Sequence, residues 1–213
     1  ARYGTPYARV VTSPDTRAWT VQDPKLDGTT LTGNFTAIAA GNGNMTGLID
    51  TWLGLTTSDG INWQTNGAVP PKDLYGLAFG AGRFFAVGDF GNILASADGM
   101  TWEKSSFASG DNLRSLARGQ GLLAAVGNDG MAFTSPDGIA WTRRSTPAEG
   151  NIRGVTWGGG RFVGVGEYLD TNGHAYTSCD GVTWARHPAP TYSGLYSVAF
   201  GNGIYAAVGG SGR

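Results

Sequence analysis

Two arginines and two tyrosines stand at matching places in a series of related segments. They are Tyr75 in LYGLAFGAGRFFAVG, Arg114 in LRSLARGQGLLAAVG, Arg153 in IRGVTWGGGRFVGVG and Tyr196 in LYSVAFGNGIYAAVG. A worn copy, FTAIAAGNGNMTGLI, puts Thr36 at the same place. A planar guanidinium pair flanked by phenol rings suits a carboxylate, a sulfate or the polar face of a sugar. The competing reading is that these side chains stack on their neighbours or pair with local acids. A second matching position, after the second run of each segment, reads Asp50, Asp89, Asn128, Glu167 and Gly210. Carboxylates there can accept sugar hydroxyls or neutralise the arginines, or they are solvated turn residues. Two aromatic features join them. Trp52 aligns with the turn glycines Gly91 and Gly130 and, as an aromatic replacing a turn Gly, reads as a stacking platform, and the longer loop EYLDTNGHAY brings Tyr168 and His174 to the same rim.

A different string first suggests catalysis. SPDGIAW, residues 135–141, holds Ser135 and Asp137, but it recurs as SPDTRAW, TSDGINW, SADGMTW and SCDGVTW, and five copies cannot all be one active site. A nucleophile also needs a base, and no histidine recurs beside them. The residue types fit a turn instead. An Asp accepts hydrogen bonds from N–H groups two or three residues ahead, a Ser or Thr hydroxyl does the same, and Gly takes a positive φ without steric cost. Thr16 stands where the other copies have Gly60, Gly99, Gly138 and Gly181, so the first turn is expected to be differently shaped.

These pieces define the elements that position the first set. Each Arg/Tyr segment is two short β-type runs joined by a G-x-G turn, and each SxDG turn joins two more, giving four antiparallel strands, A to D, in about 40 residues. The turn tryptophans are spaced 44, 39, 39 and 43 residues apart, the size of a propeller blade. The sequence opens on strands C and D and finishes on A and B. The expected fold is therefore all-β: a single five-bladed propeller over 1–213, closed by N-terminal C/D strands pairing with C-terminal A/B strands. Its blades are 195–213 plus 1–22, then 33–67, 73–106, 112–145 and 151–188. Each turn tryptophan is expected to fill a seam between blades, where burying ~200 Å² is worth at most ~5 kcal/mol.

The SxDGxxW string resembles the Asp box of sialidase-like, BNR-repeat propellers. The resemblance covers nearly the whole chain and implies a structural role for Asp15 and Trp19, Asp59 and Trp63, Asp98 and Trp102, Asp137 and Trp141, and Asp180 and Trp184. Such propellers include glycosidases, lectin-like proteins, assembly factors and secreted receptors, so the resemblance implies an extracellular or periplasmic setting without naming an activity.

Composition narrows the partners. The chain has 36 glycines, 40% hydrophobic residues, 15% charged residues and a net charge of −1, so neither nucleic acid nor an anionic membrane surface is expected. One cysteine, Cys179, rules out an intrachain disulfide, and with only two histidines no metal or other cofactor is expected. The opening ARYG reads as a mature or excised soluble piece. Four extra residues lie between Ile152 and Trp184, and the stretch from Trp19 to Phe35 is also long, so variation collects on the rim opposite the SxDG turns. That rim is expected to bind a glycan or a protein surface through Tyr75, Arg114, Arg153, Tyr196, Asp89, Glu167, Tyr168 and Trp52, with no catalytic residue. The alternatives are a glycoside hydrolase using the Arg/Tyr/Glu set, and a structural subunit of a larger surface assembly.

Overall fold

The computed structural model describes residues 8–13, 17–49, 53–65, 73–105, 110–167, 172–189 and 193–210. All of its sheets are built from short strands. Two short hairpins come first: β1 (Val10–Thr12) with β2 (Thr20–Gln22), and β3 (Lys25–Leu26) with β4 (Thr29–Thr30). Next come β5 (Phe35–Gly41), β6 (Asn44–Ile49), β7 (Leu53–Thr57) and β8 (Asn62–Thr65). The repeat continues with β9 (Leu74–Gly80), β10 (Arg83–Gly88), β11 (Ile93–Ser96) and β12 (Glu103–Lys104), then β13 (Leu113–Gly119), β14 (Leu122–Gly127), β15 (Ala132–Ser135) and β16 (Thr142–Arg144). The last are β17 (Ile152–Gly158), β18 (Arg161–Glu167), β19 (Gly173–Ser178) and β20 (Ala185–Pro188), followed by the hairpin β21 (Leu195–Gly201) and β22 (Ile204–Gly209). Strands β9–β12, β13–β16 and β17–β20 each form a four-stranded antiparallel meander.

Local chemistry explains the meander. The A and B strands meet through a two-residue turn with both residues at positive φ, as at Gln120 and Gly121 (51° and 78°), the twist-matched geometry of a tight hairpin. At the C-to-D turn, Asp137 Oδ1 accepts N–H bonds from Ile139 (2.8 Å) and Ala140 (3.2 Å), while the Ser135 hydroxyl accepts from Gly138 N–H (2.7 Å). Trp141 Nε1 donates back to the Gly138 carbonyl at 3.0 Å. Asp59, Asp98 and Asp180 accept the same pair of forward N–H groups. These bonds hold all four carboxyls below the usual carboxylate range. Asp15 lies outside the described residues, as does Thr16 with its expected change of turn shape.

Successive A strands, β5, β9, β13, β17 and β21, lie side by side, so the blades pack face to face around an inner row. Trp102, Trp141 and Trp184 fill the seam toward the preceding blade and Trp63 packs against the first hairpin, whereas Trp19 is exposed. Trp141 packs with Phe85, Val87 and Ile93 of β10–β11 as well as Leu116 and Phe133 of its own blade, and Trp184 sits between Ala124 and Val126 on one side and Ile152 and Phe162 on the other. The A-to-B glycines let neighbours approach: a Cβ at Gly41, Gly80, Gly119 or Gly158 would collide with Phe79, Arg118, Trp157 or Phe200 of the next blade.

Three expectations need correction. Among the described residues the N-terminal and C-terminal half-blades do not pair: β1–β2 and β21–β22 are separate two-stranded sheets. The first hairpin is instead held at the start of the row, where Ala8 N–H donates to the Leu31 carbonyl at 3.1 Å and Ala8 and Val10 join the cluster around Leu55 and Trp63. The long stretch after Trp19 does not project as a rim loop. It forms β3–β4, and β3 pairs in parallel with β8, covering the outer edge of that blade and giving a six-stranded sheet. His174, finally, is not carried on a loop, because it lies in β19 opposite Pro188 with its side chain buried.

Candidate functional site

The second residue of each A strand falls at a break in the ladder. Leu113 pairs with Gly127 and Ser115 with Val126, leaving Arg114 as the extra residue of a β-bulge. Arg153 is skipped in the same way between Ile152 and Gly154, Tyr196 between Leu195 and Ser197, Thr36 between Phe35 and Ala37, and Tyr75 between Leu74 and Gly76. A bulge frees a residue from the alternation of the sheet and re-aims its side chain. Here it brings four of the five, Tyr75, Arg114, Arg153 and Tyr196, around one cavity at the rim opposite the SxDG turns, while the Thr36 hydroxyl donates to the Leu48 carbonyl of its own blade.

In the three four-stranded meanders, the residue that ends or follows the B strand lies beside that bulge in the same blade. Tyr75 donates its hydroxyl to Asp89 Oδ2 at 3.0 Å, Arg114 Nε donates to Asn128 Oδ1 at 2.9 Å, and Arg153 Nη2 donates to Glu167 Oε1 at 2.5 Å. The two registers are thus one register of side-chain pairs, with Glu167 neutralising Arg153 as one of the sequence readings expected. Asp50 lies outside the described residues, and Gly210 gives Tyr196 no acid to bond.

Across blades the set divides into two halves. The Arg114 guanidinium stacks on the Tyr75 ring with its carbon 4.3 Å from the centroid, and its Nη1 lies 3.4 Å from Asp89 Oδ1. That separation carries a charge interaction but not hydrogen-bond geometry. The Arg153 guanidinium lies 5.4 Å from the centroid of Tyr196. The order along the rim is Tyr, Arg, Arg, Tyr, with the like charges adjacent in the middle. These four side chains line one cavity of about 290 Å³.

The electrostatics are asymmetric. Hydrogen bonding to Arg153 holds the Glu167 carboxyl below its usual range, and the same contact raises Arg153. Burial pushes the Tyr75 hydroxyl up, so it stays protonated and able to donate. Arg153 Nε is buried without a hydrogen-bond partner, so the Glu167 contact leaves that donor unsatisfied. Of the candidates read from the sequence, the structure gathers Tyr75, Arg114, Arg153 and Tyr196 around the cavity, with Asp89 and Glu167 as their acid partners. Trp52 and Tyr168 lie outside the described residues.

Residues just before the A strands were missed. Asn151 Nδ2 donates to Glu167 Oε1 at 2.8 Å while its Oδ1 accepts the Asp129 N–H at 3.2 Å from the preceding blade. Asn112 repeats the second contact, accepting the Phe90 N–H at 3.1 Å. The signal was available, because Asn34, Asp73, Asn112 and Asn151 all precede an A strand. Among the described residues no group of three or more His, Cys, Asp or Glu stands close enough to hold a metal, and no helix is long and apolar enough to cross a membrane.

Comparison with known proteins supports the blade geometry. By sequence no curated protein matches the chain. Among solved structures it is similar to YCF48 bound to D1 peptide (TM-score 0.63, 17% identity, 95% of this chain and 62% of that chain). YCF48 from Cyanidioschyzon merolae (TM-score 0.61, 15% identity, 93% and 70%) and an ancestral GH74 enzyme (TM-score 0.63, 16% identity, 92% and 32%) are also similar. The chain thus spans less than two thirds of the first of these, and at such identities the likeness establishes the fold alone. The sequence itself matches the model of the DUF6242 beta propeller domain over residues 13–151. Blade-sized meanders, packed face to face along an inner row and matched by that model over more than half the sequence, place the chain in the DUF6242 beta propeller domain family.

Proposed function

We propose that the chain is a non-catalytic binding module whose rim captures a carboxylate on a partner protein. The convergence of two guanidiniums and two phenol rings on one cavity carries this reading. Two adjacent cations that each keep an acid partner on the outside present their remaining N–H groups inward, where an anion relieves their mutual repulsion. The tyrosine faces add apolar walls for the stem of an acidic side chain or a chain terminus. Support from the fold is of the same kind, since one similar structure is a propeller carrying a peptide. Hydrolysis of a glycoside draws less support. It needs an acid whose pKa is raised, whereas Arg153 holds Glu167 low.

The test is titration of the protein with extended acidic peptides, their amidated counterparts and a panel of acidic glycans. Charge-assisted hydrogen bonds are worth ~1.5–3 kcal/mol each, so the Arg114→Ala, Arg153→Ala double variant should weaken peptide binding at least about tenfold. Unchanged affinity in that variant would sink the rim reading. Binding of glycans alone would replace the peptide with a sugar carboxylate as the ligand.

A further inference from the structure

The two end hairpins expose two valines at positions that the complete blades bury. Val208 of β22 is 65% exposed, whereas its repeat equivalents Val87, Val126 and Val165 are at most 1% exposed. Val11 of β1 is 51% exposed, whereas Leu55, Leu94, Phe133 and Tyr176 at the same repeat position are at most 1% exposed. Trp19 is 59% exposed, although Trp63 and Trp184 are sealed in their seams. Val21, Tyr196 and Ile204 are open too, at positions that complete blades also leave unburied, so these two hairpins carry much of the exposed apolar surface of the described residues. The seam glycine agrees: a Cβ at Gly201 meets nothing within 4 Å, while its four equivalents meet the next blade.

The edges are also complementary. Among the described residues β22 is a B strand that pairs only with β21, and β1 is a C strand that pairs only with β2. Within this chain β1 is occupied at the opposite end of the row, packed beside Trp63. A second copy offers the same hairpin with its pairing edge open. We propose that the chain self-associates head to tail, with β1–β2 of one copy completing the blade begun by β21–β22 of the next. The register follows from β14 and β15, where Ala124 faces Thr134, Ala125 faces Phe133 and Val126 faces Ala132. By the repeat, Ala206 meets Thr12, Ala207 meets Val11 and Val208 meets Val10, and Trp19 enters the seam beside β17–β20. Main-chain bonds supply affinity and the buried valines and tryptophan supply specificity. Because the two surfaces differ, the contact is heterologous and propagates into rings or filaments.

Light scattering across a concentration series of the full 213-residue chain should show oligomers that grow with concentration, accompanied by burial of Trp19 seen as lost acrylamide quenching relative to Trp19→Phe. Val11→Lys blocks one surface and Val208→Lys the other, both at exposed positions, so each variant alone should stay monomeric. Mixed one to one, they should form a dimer and stop there, since one compatible contact remains. In a Cys179→Ser background, Val11→Cys with Ala207→Cys should give disulfide-linked multimers. A wild-type chain that is monomeric throughout, a mixture that stays monomeric, or a disulfide formed within one chain overturns the proposal.

Discussion

The complete blades and the two end hairpins contain nearly the same residues in very different surroundings. β14 reads LLAAVG and β22 reads IYAAVG, yet Val126 is sealed and Val208 is open. Both strands have the same hairpin turn, the same bulge opposite the same position and the same partner strand on one side. What differs is the other side: β14 has β15 and a following blade, and among the described residues β22 has neither. A repeat strand therefore specifies its own hairpin, while burial is a property of the neighbour. This is the nearest-neighbour behaviour expected of repeat architectures.

The sharpest way to break this comparison is at its tryptophans. Trp63→Ala removes a fully buried ring and should cost ~3–5 kcal/mol, whereas Trp19→Ala in the dilute protein should stay within about 0.5 kcal/mol. Urea unfolding of the pair decides it, and equal losses would mean that Trp19 is packed in solution. A smaller effect is expected at the seam glycines. Gly119→Ala drives a methyl group into Trp157 and should cost about 1–3 kcal/mol, against almost nothing for Gly201→Ala.

Acid titration tests the turns. The folded pKa values of Asp59, Asp98, Asp137 and Asp180 lie below their unfolded values near 4, so each stabilises the fold fully above that pH. The contribution is lost as pH falls through the folded values, and thermal unfolding followed from pH 6 downward should show a falling midpoint. Asn at one of these positions should flatten that dependence, and an unaltered slope would assign it to other carboxylates. The smallest effect is on the rim. Glu167→Gln should cost ~1 kcal/mol or less in stability, because the pair is partly exposed, and should tighten binding of an acidic peptide by freeing Arg153.

Much of this site could be read along the chain. The matching positions of Tyr75, Arg114, Arg153 and Tyr196 were visible as variation in an otherwise uniform register, and they do line one cavity. That carboxylates of the second register can neutralise the arginines is also legible, but which of Asp89, Asn128 and Glu167 meets which side chain is not, because it depends on a register shift one residue wide. Without the bulge at Arg114, strict alternation would count the strand differently and turn the side chain to the other face. The bridging asparagines escaped for a related reason. Asn112 and Asn151 act on the backbone of the preceding blade, some twenty residues away in sequence, and only the seam brings them together.

The sequence by itself determined the repeat unit. Turn chemistry at Asp137 and its siblings, left-handed residue pairs ending in Gly at the hairpins and alternating apolar strands are all local, and local interactions act before any neighbour is present. Only the tertiary structure decided how the units meet. Which bulged side chains converge, which tryptophans are sealed, where the stretch after Trp19 lies and whether β1 reaches β22 all depend on the angle between successive blades. That angle is the sum of many small side-chain contacts in each seam, and no single residue encodes it.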